Sequence, residues 1–159
     1  MSIPWYREEG SFMNENKQYV VVVLDQEQFG IDIQQIETII RMRDITRVPQ
    51  APFFIKGVVN LRGDIIPVMS LRLKFGLDSD EYSHNTRIVI IKTEEHCIGM
   101  IVDEVREVVE FSQESIETIQ RLAIGSEQKW IQGVGKTDQQ IVTLLNINTL
   151  MEELLPNKE

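Results

Sequence analysis

The chain is poor in the residues that build most catalytic or covalently stapled sites. Among its 159 residues there is one cysteine, Cys97, and there are two histidines, His84 and His96. A lone cysteine excludes an internal disulfide and points to a reducing, cytoplasmic setting. No apolar run approaches the roughly 20 residues that cross a bilayer as a helix, so no direct membrane insertion is expected. The amino terminus, MSIPWYREEGS, has no basic leader and no apolar stretch, so it does not read as a signal peptide. Positive charge is short overall: the net charge is -9, whereas a nucleic-acid binder normally presents a basic face. Trp5 and Trp130 lie too far apart in sequence to suggest a base-stacking platform.

The same scarcity limits the chemistry. His96 and Cys97 are adjacent in an expected strand, so their side chains should point to opposite faces, which argues against a metal pair or a Cys-His nucleophile. A small hydrolase using Cys97, His96 and Asp103 remains as an enzymatic alternative; it requires a thiol of depressed pKa. There is no phosphate-cradling glycine loop. The tripeptide RGD at 62–64 spells an adhesion motif, a coincidence in a chain of this setting. No enzyme activity, cofactor or metal is expected.

What is present is short β-rich segments. Residues 19–24, YVVVVL, form a continuous β-branched run that suggests a buried strand. A turn at 25–28 and the alternating Phe29 to Ile33 make a hairpin with it. From 33 to 40 the apolar spacing leaves helix and strand open, and a short helical turn leading into a strand fits both. Pro49 and Pro52 break regular structure, and Phe53, Phe54 and Ile55 after them should pack inward. Residues 70–77 read as a short helix or turn closed by Gly76. Further strands are expected at 87–91, 97–102, 105–111, 129–135 and 140–145, with polar, irregular chain at 113–128. A last amphipathic helix carries Ile147, Leu150, Met151, Leu154 and Leu155. About ten short strands at close spacing are the signature of an all-β domain, a sandwich or small barrels.

Charge is unevenly spread. Residues 41–74 hold seven basic residues against two acids, a local charge of +5, which leaves -14 for the rest of the chain. Residues 94–117 hold eight acids against Arg106 alone. This is either ordinary solvated clustering or two surfaces of opposite sign for two partners. Within the basic segment, GVVNLRGDIIPV at 57–68 reads as a hairpin, with Pro67 marking an edge or a bulge. Its turn requires no arginine. Arg62 either solvates the tip or offers a planar, always charged fork to carboxylates and carbonyls of a partner, and Gly57 lets a backbone approach closely.

The stretch IKGVVNLRGDIIPVMSLRLKFGL resembles the CheW family, the coupling proteins of bacterial chemotaxis. Their motif runs roughly I-x-G-x-x-N-x-R-G-x-I-x-P-V-x-D-L-R. It is met by Ile55, Gly57, Asn60, Arg62, Gly63, Ile65, Pro67, Val68, Leu71 and Arg72. The resemblance extends over about residues 17–155, through Phe29 to Ile33, Gly99 to Asp103, the GVG after Trp130 and the closing LLNI. Ser70 departs from the usual aspartate, which puts a local cap or ion pair in question, and Thr38 sits where many relatives carry glutamate.

The resemblance implies two intertwined five-stranded SH3-like β-barrels with short helices and a C-terminal helix. They would span 17–155, between a flexible tail at 1–16 and a short one at 156–159. It also implies a non-enzymatic adaptor joining the cytoplasmic tips of chemoreceptors to the regulatory domain of the histidine kinase CheA. Such an adaptor is a monomer in isolation, assembles into rings with the kinase, and is recruited to arrays at the inner face of the membrane. Carried over, Ile33, Ile36, Gly57 and Arg62 would bind the receptor tip in a groove between the barrels. Leu122 and Gly133 would lie on the kinase-binding surface. A coupling domain for a motility or biofilm kinase pathway is the alternative within the family; relatives with a receiver domain are not expected from the length. Loss of the Arg62 side chain should weaken one interaction and leave the fold intact.

Overall fold

A strand with apolar residues at successive positions has no face to give to water. The computed structural model, which describes residues 16–77, 81–118 and 130–154, shows where both faces go. In chain order the strands are β1 (Lys17–Leu24), β2 (Glu27–Asp32), β3 (Ile36–Arg41), β4 (Ile55–Leu61), β5 (Asp64–Ser70) and β6 (Arg87–Lys92). They continue as β7 (Cys97–Val102), β8 (Glu104–Phe111), β9 (Ile116–Thr118), β10 (Ile131–Lys136) and β11 (Ile141–Leu145). Helix α1 (Leu71–Lys74) follows β5, and α2 (Ile147–Leu154) follows β11. One sheet has the order β9-β10-β11-β2-β1-β8, the other β3-β6-β7-β5-β4. The chain thus begins in the first sheet, builds the whole second sheet from β3 to β7, and returns with β8.

Each sheet curls over a small core of its own, and the two share a larger one. Tyr19 and Val21 of β1 meet Phe111, Val142 and Leu144 inside the first barrel, where Val109 of β8 and Ile116 of β9 bring the sheet's two edges to the same cluster. Ile88 and Ile90 of β6 meet Val59, Ile66, Val68 and Ile101 inside the second barrel. The alternate residues of the same strands, Val20, Val22 and Leu24 of β1 and Val89 and Ile91 of β6, face the shared core. This is why these strands read as unbroken apolar runs. Phe75, just after α1, stacks on Trp130 at 4.4 Å between ring centroids and lies 5.3 Å from Phe29, joining the two barrels with aromatic rings.

The ambiguous segment at 33–40 divides as its chemistry suggests. Asp32 Oδ1 accepts from Gln34 N at 2.9 Å and caps a single 3-10 turn, Ile33–Gln35, after which β3 begins. The turn expected at 25–28 is shorter, because β2 already starts at Glu27. The expected irregular stretch after Gln113 contains a 3-10 turn, Gln113–Ser115, and the short strand β9. The parts of it from 119 to 129 lie outside the described residues, as do the terminal tails except for Asn16. Pro67 sits opposite Val58, which exchanges both its backbone bonds with Thr46 at 2.9 and 2.8 Å and so turns them away from β5. The parallel ladder from β5 to β7 starts only at Val68. The missing proline donor therefore breaks no bond to β4.

Gly57 is explained by the same contact. It is buried, its φ is +147°, and a Cβ there would lie 2.1 Å from Thr46 O. The backbone that approaches it belongs to this chain. The bridge from Thr46 to Val58 carries the continuation of β3 against β4 and closes the second barrel. Gly57→Ala is expected to cost about 3 kcal/mol or more in urea unfolding. Gly76→Ala, at φ +82° with open space around it, should cost only about 1 kcal/mol. Equal losses would mean that Thr46 yields freely and that the close approach is not what closes the barrel.

Candidate partner-binding site at one end of the second barrel

Strands β5 and β7 are parallel, and β3 and β7 are each antiparallel to β6. All three therefore start at the same end of the barrel. That end carries Ile33 and Ile36, the turn before β5 that holds Arg62, and the turn at 93–96 before β7. Cys97, at the start of β7, is raised in pKa by burial first and by the Glu37 carboxylate next; Lys92 pulls it down and Asp64 pushes it further up. The residues felt by this thiol come from the starts of β3 and β5, consistent with their common end. A raised pKa is the opposite of what a cysteine nucleophile needs, and Asp103 is engaged elsewhere.

Leu61 pairs with Asp64, so Arg62 and Gly63 form a two-residue hairpin loop. Their φ values are +55° and +91°, the left-handed pattern of a type I′ turn. Asn60 Oδ1 accepts from Gly63 N at 2.9 Å, and Arg43 Nη1 donates to Asn60 O at 3.0 Å. For a side chain such as arginine the left-handed region costs roughly 1–2 kcal/mol that glycine, and often asparagine, avoids. The Arg62 side chain is exposed, and no described residue binds its guanidinium. A costly conformation is thus spent on a cation that does nothing for the turn.

Ile33 and Ile36 are half-buried and pack at the margin of the shared core. Ile36 pairs with Ile91 and Ile39 with Val89, both shared-core residues, so β3 continues that core toward its free edge, where Ile39 is 37% exposed. Ile65 lies on the same face of β5 as Met69 of the shared core, yet it is 62% exposed beside Arg62. Sequence reasoning did not single out Ile39 or Ile65 as contacts, although Ile65 is a position of the family motif. A groove of about 750 Å³ opens at this end where α2 meets the turn at 93–96, lined by Gln35, Lys92, Glu94, His96, Asn148 and Glu152 among others.

The expected site residues therefore divide. Ile33, Ile36 and Arg62 come together at one end of the barrel. Gly57 does not offer a contact surface, because it is buried under Thr46. Gly133, expected on the kinase surface, is also buried: a Cβ would lie 2.4 Å from Glu117 O, so glycine is needed there to admit β9 beside β10. Leu122 lies outside the described residues. The departure at Ser70 leaves both local contacts in place. Ser70 Oγ caps α1 by accepting from Leu73 N at 3.2 Å, and Arg72 Nη1 donates to Asp103 Oδ2 at 2.7 Å.

A family profile described as the CheW-like domain matches residues 18–155. The chain is 30% identical over 135 residues to a chemotaxis protein CheW of Klebsiella aerogenes, covering 85% of this chain and 81% of that protein. It is 33% identical over 132 residues to a chemotaxis protein CheW of Thermotoga maritima, covering 82% and 85%. Among solved structures it is similar to the scaffolding protein TtCheW of Thermoanaerobacter tengcongensis, with a TM-score of 0.76 at 33% identity over 82% of this chain and 89% of that one.

The left-handed arginine gives a prediction of unusual sign. Arg62→Gly should stabilise the fold by about 1 kcal/mol, because it relieves the backbone more than it loosens the unfolded chain. Arg62→Ala should leave the melting midpoint within a degree or two. A clear fall in midpoint for Arg62→Gly would make the side chain structural.

Proposed function

The chain belongs to the CheW-like family of chemotaxis signalling proteins, and on that footing we propose that it is a non-enzymatic adaptor. In this reading it couples the cytoplasmic tips of chemoreceptors to the regulatory domain of the histidine kinase CheA. It is monomeric alone, joins rings with the kinase, and is recruited to receptor arrays at the inner face of the membrane. The observation that carries the reading is the convergence of Ile33, Ile36 and Arg62 on one end of the second barrel, beside a groove at the junction of the two halves. A helical hairpin tip laid across that end of the barrel would bury Ile36, Ile39 and Ile65 and meet Arg62 beside them, the usual pairing of apolar anchors with polar edge contacts. Gly57 supports this surface from inside by holding the barrel closed. Gly133 has the same supporting part on the kinase side, since it seats β9, the strand that leads toward Leu122.

Titration calorimetry against the regulatory domain of a chemotaxis histidine kinase from the same organism tests the kinase arm. Micromolar binding is expected, weakened about tenfold by Leu122→Ala and spared by Arg62→Ala. Co-sedimentation with receptor-bearing membranes tests the other arm, with the reverse pattern: Arg62→Ala and Ile65→Ala lose the protein from the pellet and Leu122→Ala keeps it. No heat and no complex with any such kinase domain would leave the fold standing and remove the adaptor role.

A further inference from the structure

A second groove, of about 790 Å³, lies between the segment 42–56 and Tyr82. Its lining includes Arg43, Arg47, Val48, Phe53, Lys56 and Tyr82, with Asp44 as its one acid. Two adjacent phenylalanines divide sharply here. Phe54 packs against the shared core under Lys74, whose Nζ sits 4.9 Å from the ring centroid, while Phe53 is 71% exposed. Val48 and Tyr82 are 40% and 44% exposed on the same groove. An exposed aromatic, an exposed valine and three cations thus line one concavity, in a chain whose remaining charge is strongly negative.

The groove is held in shape rather than left loose. Thr46 and Val58 exchange two backbone bonds, Ile55 N donates to Pro52 O at 2.9 Å, and Ser70 N donates to Phe54 O at 2.8 Å. Pro49 and Pro52 fix φ at two places in the loop, and Gln50 between them is held at φ +67°. A surface ordered before binding loses less freedom on binding.

We propose that this groove docks a short acidic segment of a partner protein, one that inserts an aromatic or aliphatic anchor beside Phe53 and places carboxylates against Arg43 and Arg47. Charge selects this occupant. A long polyanion or an anionic bilayer would extend past the groove and meet the acidic remainder of the chain, within a screening length of about 8 Å at physiological salt. A short segment meets chiefly the cations of the lining, with Asp44 and Glu81 beside Tyr82 as the opposing charges. The site goes beyond the coupling role and uses a surface other than the isoleucines at the starts of the strands.

The test is a nitrogen-15 NMR titration of the full chain with a synthetic peptide in which glutamates flank a Phe-Leu-Phe core. Saturable shifts confined to the amides of 42–56 and around Tyr82 are expected. Phe53→Ser and Arg47→Glu, each verified as folded by its own spectrum, should weaken binding about fivefold apiece. Added salt should weaken it further, and Arg62→Ala should leave it within about twofold. Absence of saturable shifts, equal binding of the same peptide with lysines for glutamates, or binding that both variants leave intact would overturn the proposal. So would binding of phosphatidylserine vesicles in place of the peptide.

Discussion

The core shared by the two barrels constrains everything else about this chain. It draws side chains from β1, β2, β5, β6, β7, β11 and both helices, so both barrels are built against it. Burying a valine, leucine, isoleucine, phenylalanine or methionine contributes roughly 1.5–3 kcal/mol each. Any two of them outweigh a partly buried ion pair, whose loss costs about 1–3 kcal/mol. Because the sheets cover each other on one face and curl over themselves on the other, no broad sheet face remains for a partner among the described residues. The exposed large apolar residues fall where this leaves room: Ile39 and Val108 on outer strands, Ile65 and Ile141 at strand starts, and Val48, Phe53 and Tyr82 in loops. Binding has to occur at ends, edges and loops because the interior has taken everything else.

The crossover from β7 to β8 shows how polar chemistry serves that core. Asp103 sits between the two sheets and accepts from Arg72 Nη1 at 2.7 Å and from Asp25 N at 2.8 Å, while its own N–H donates to Val23 O at 3.0 Å. Arg72 comes from the helix after β5, Asp25 from the hairpin turn of the first sheet. A single carboxylate thus ties three separate parts of the chain at the point where it changes barrels. Its contribution is modest in energy but specific in geometry. It also explains how serine at 70 is accommodated, since the cap needs only one oxygen and the arginine has an acid elsewhere.

Much of this was legible in residue order. The unbroken run of β1 announced a buried strand, that of β6 a strand, and NLRG between two apolar runs a hairpin. The 3-10 turn before β3 was visible as an apolar spacing that suited helix and strand at once. What the sequence hid was nonlocal. Gly57 looks like a place for a partner's backbone until Thr46, eleven positions earlier, is found against it. Gly133 likewise answers to Glu117. Ile39 and Ile65 each have an isoleucine neighbour, so alternation alone cannot say which of the pair faces out. β9 is only three residues long and too short to carry a period.

Arg62 and Phe53 share a logic that links structure to use. Each is an expensive choice at a position where a cheaper residue would fold as well or better: glycine or asparagine at the left-handed turn, a polar residue at an exposed loop tip. Neither is compensated by a contact the fold depends on. Arg62 has no described partner, and Phe53 is largely exposed, with its ring edge-on to that of Phe54. Both lie in the segment of local charge +5, on a barrel joined to a half of the chain that carries the opposite sign. Folding alone would remove such costs, so their presence in one basic region is what an interaction surface looks like when the strain is met by a partner.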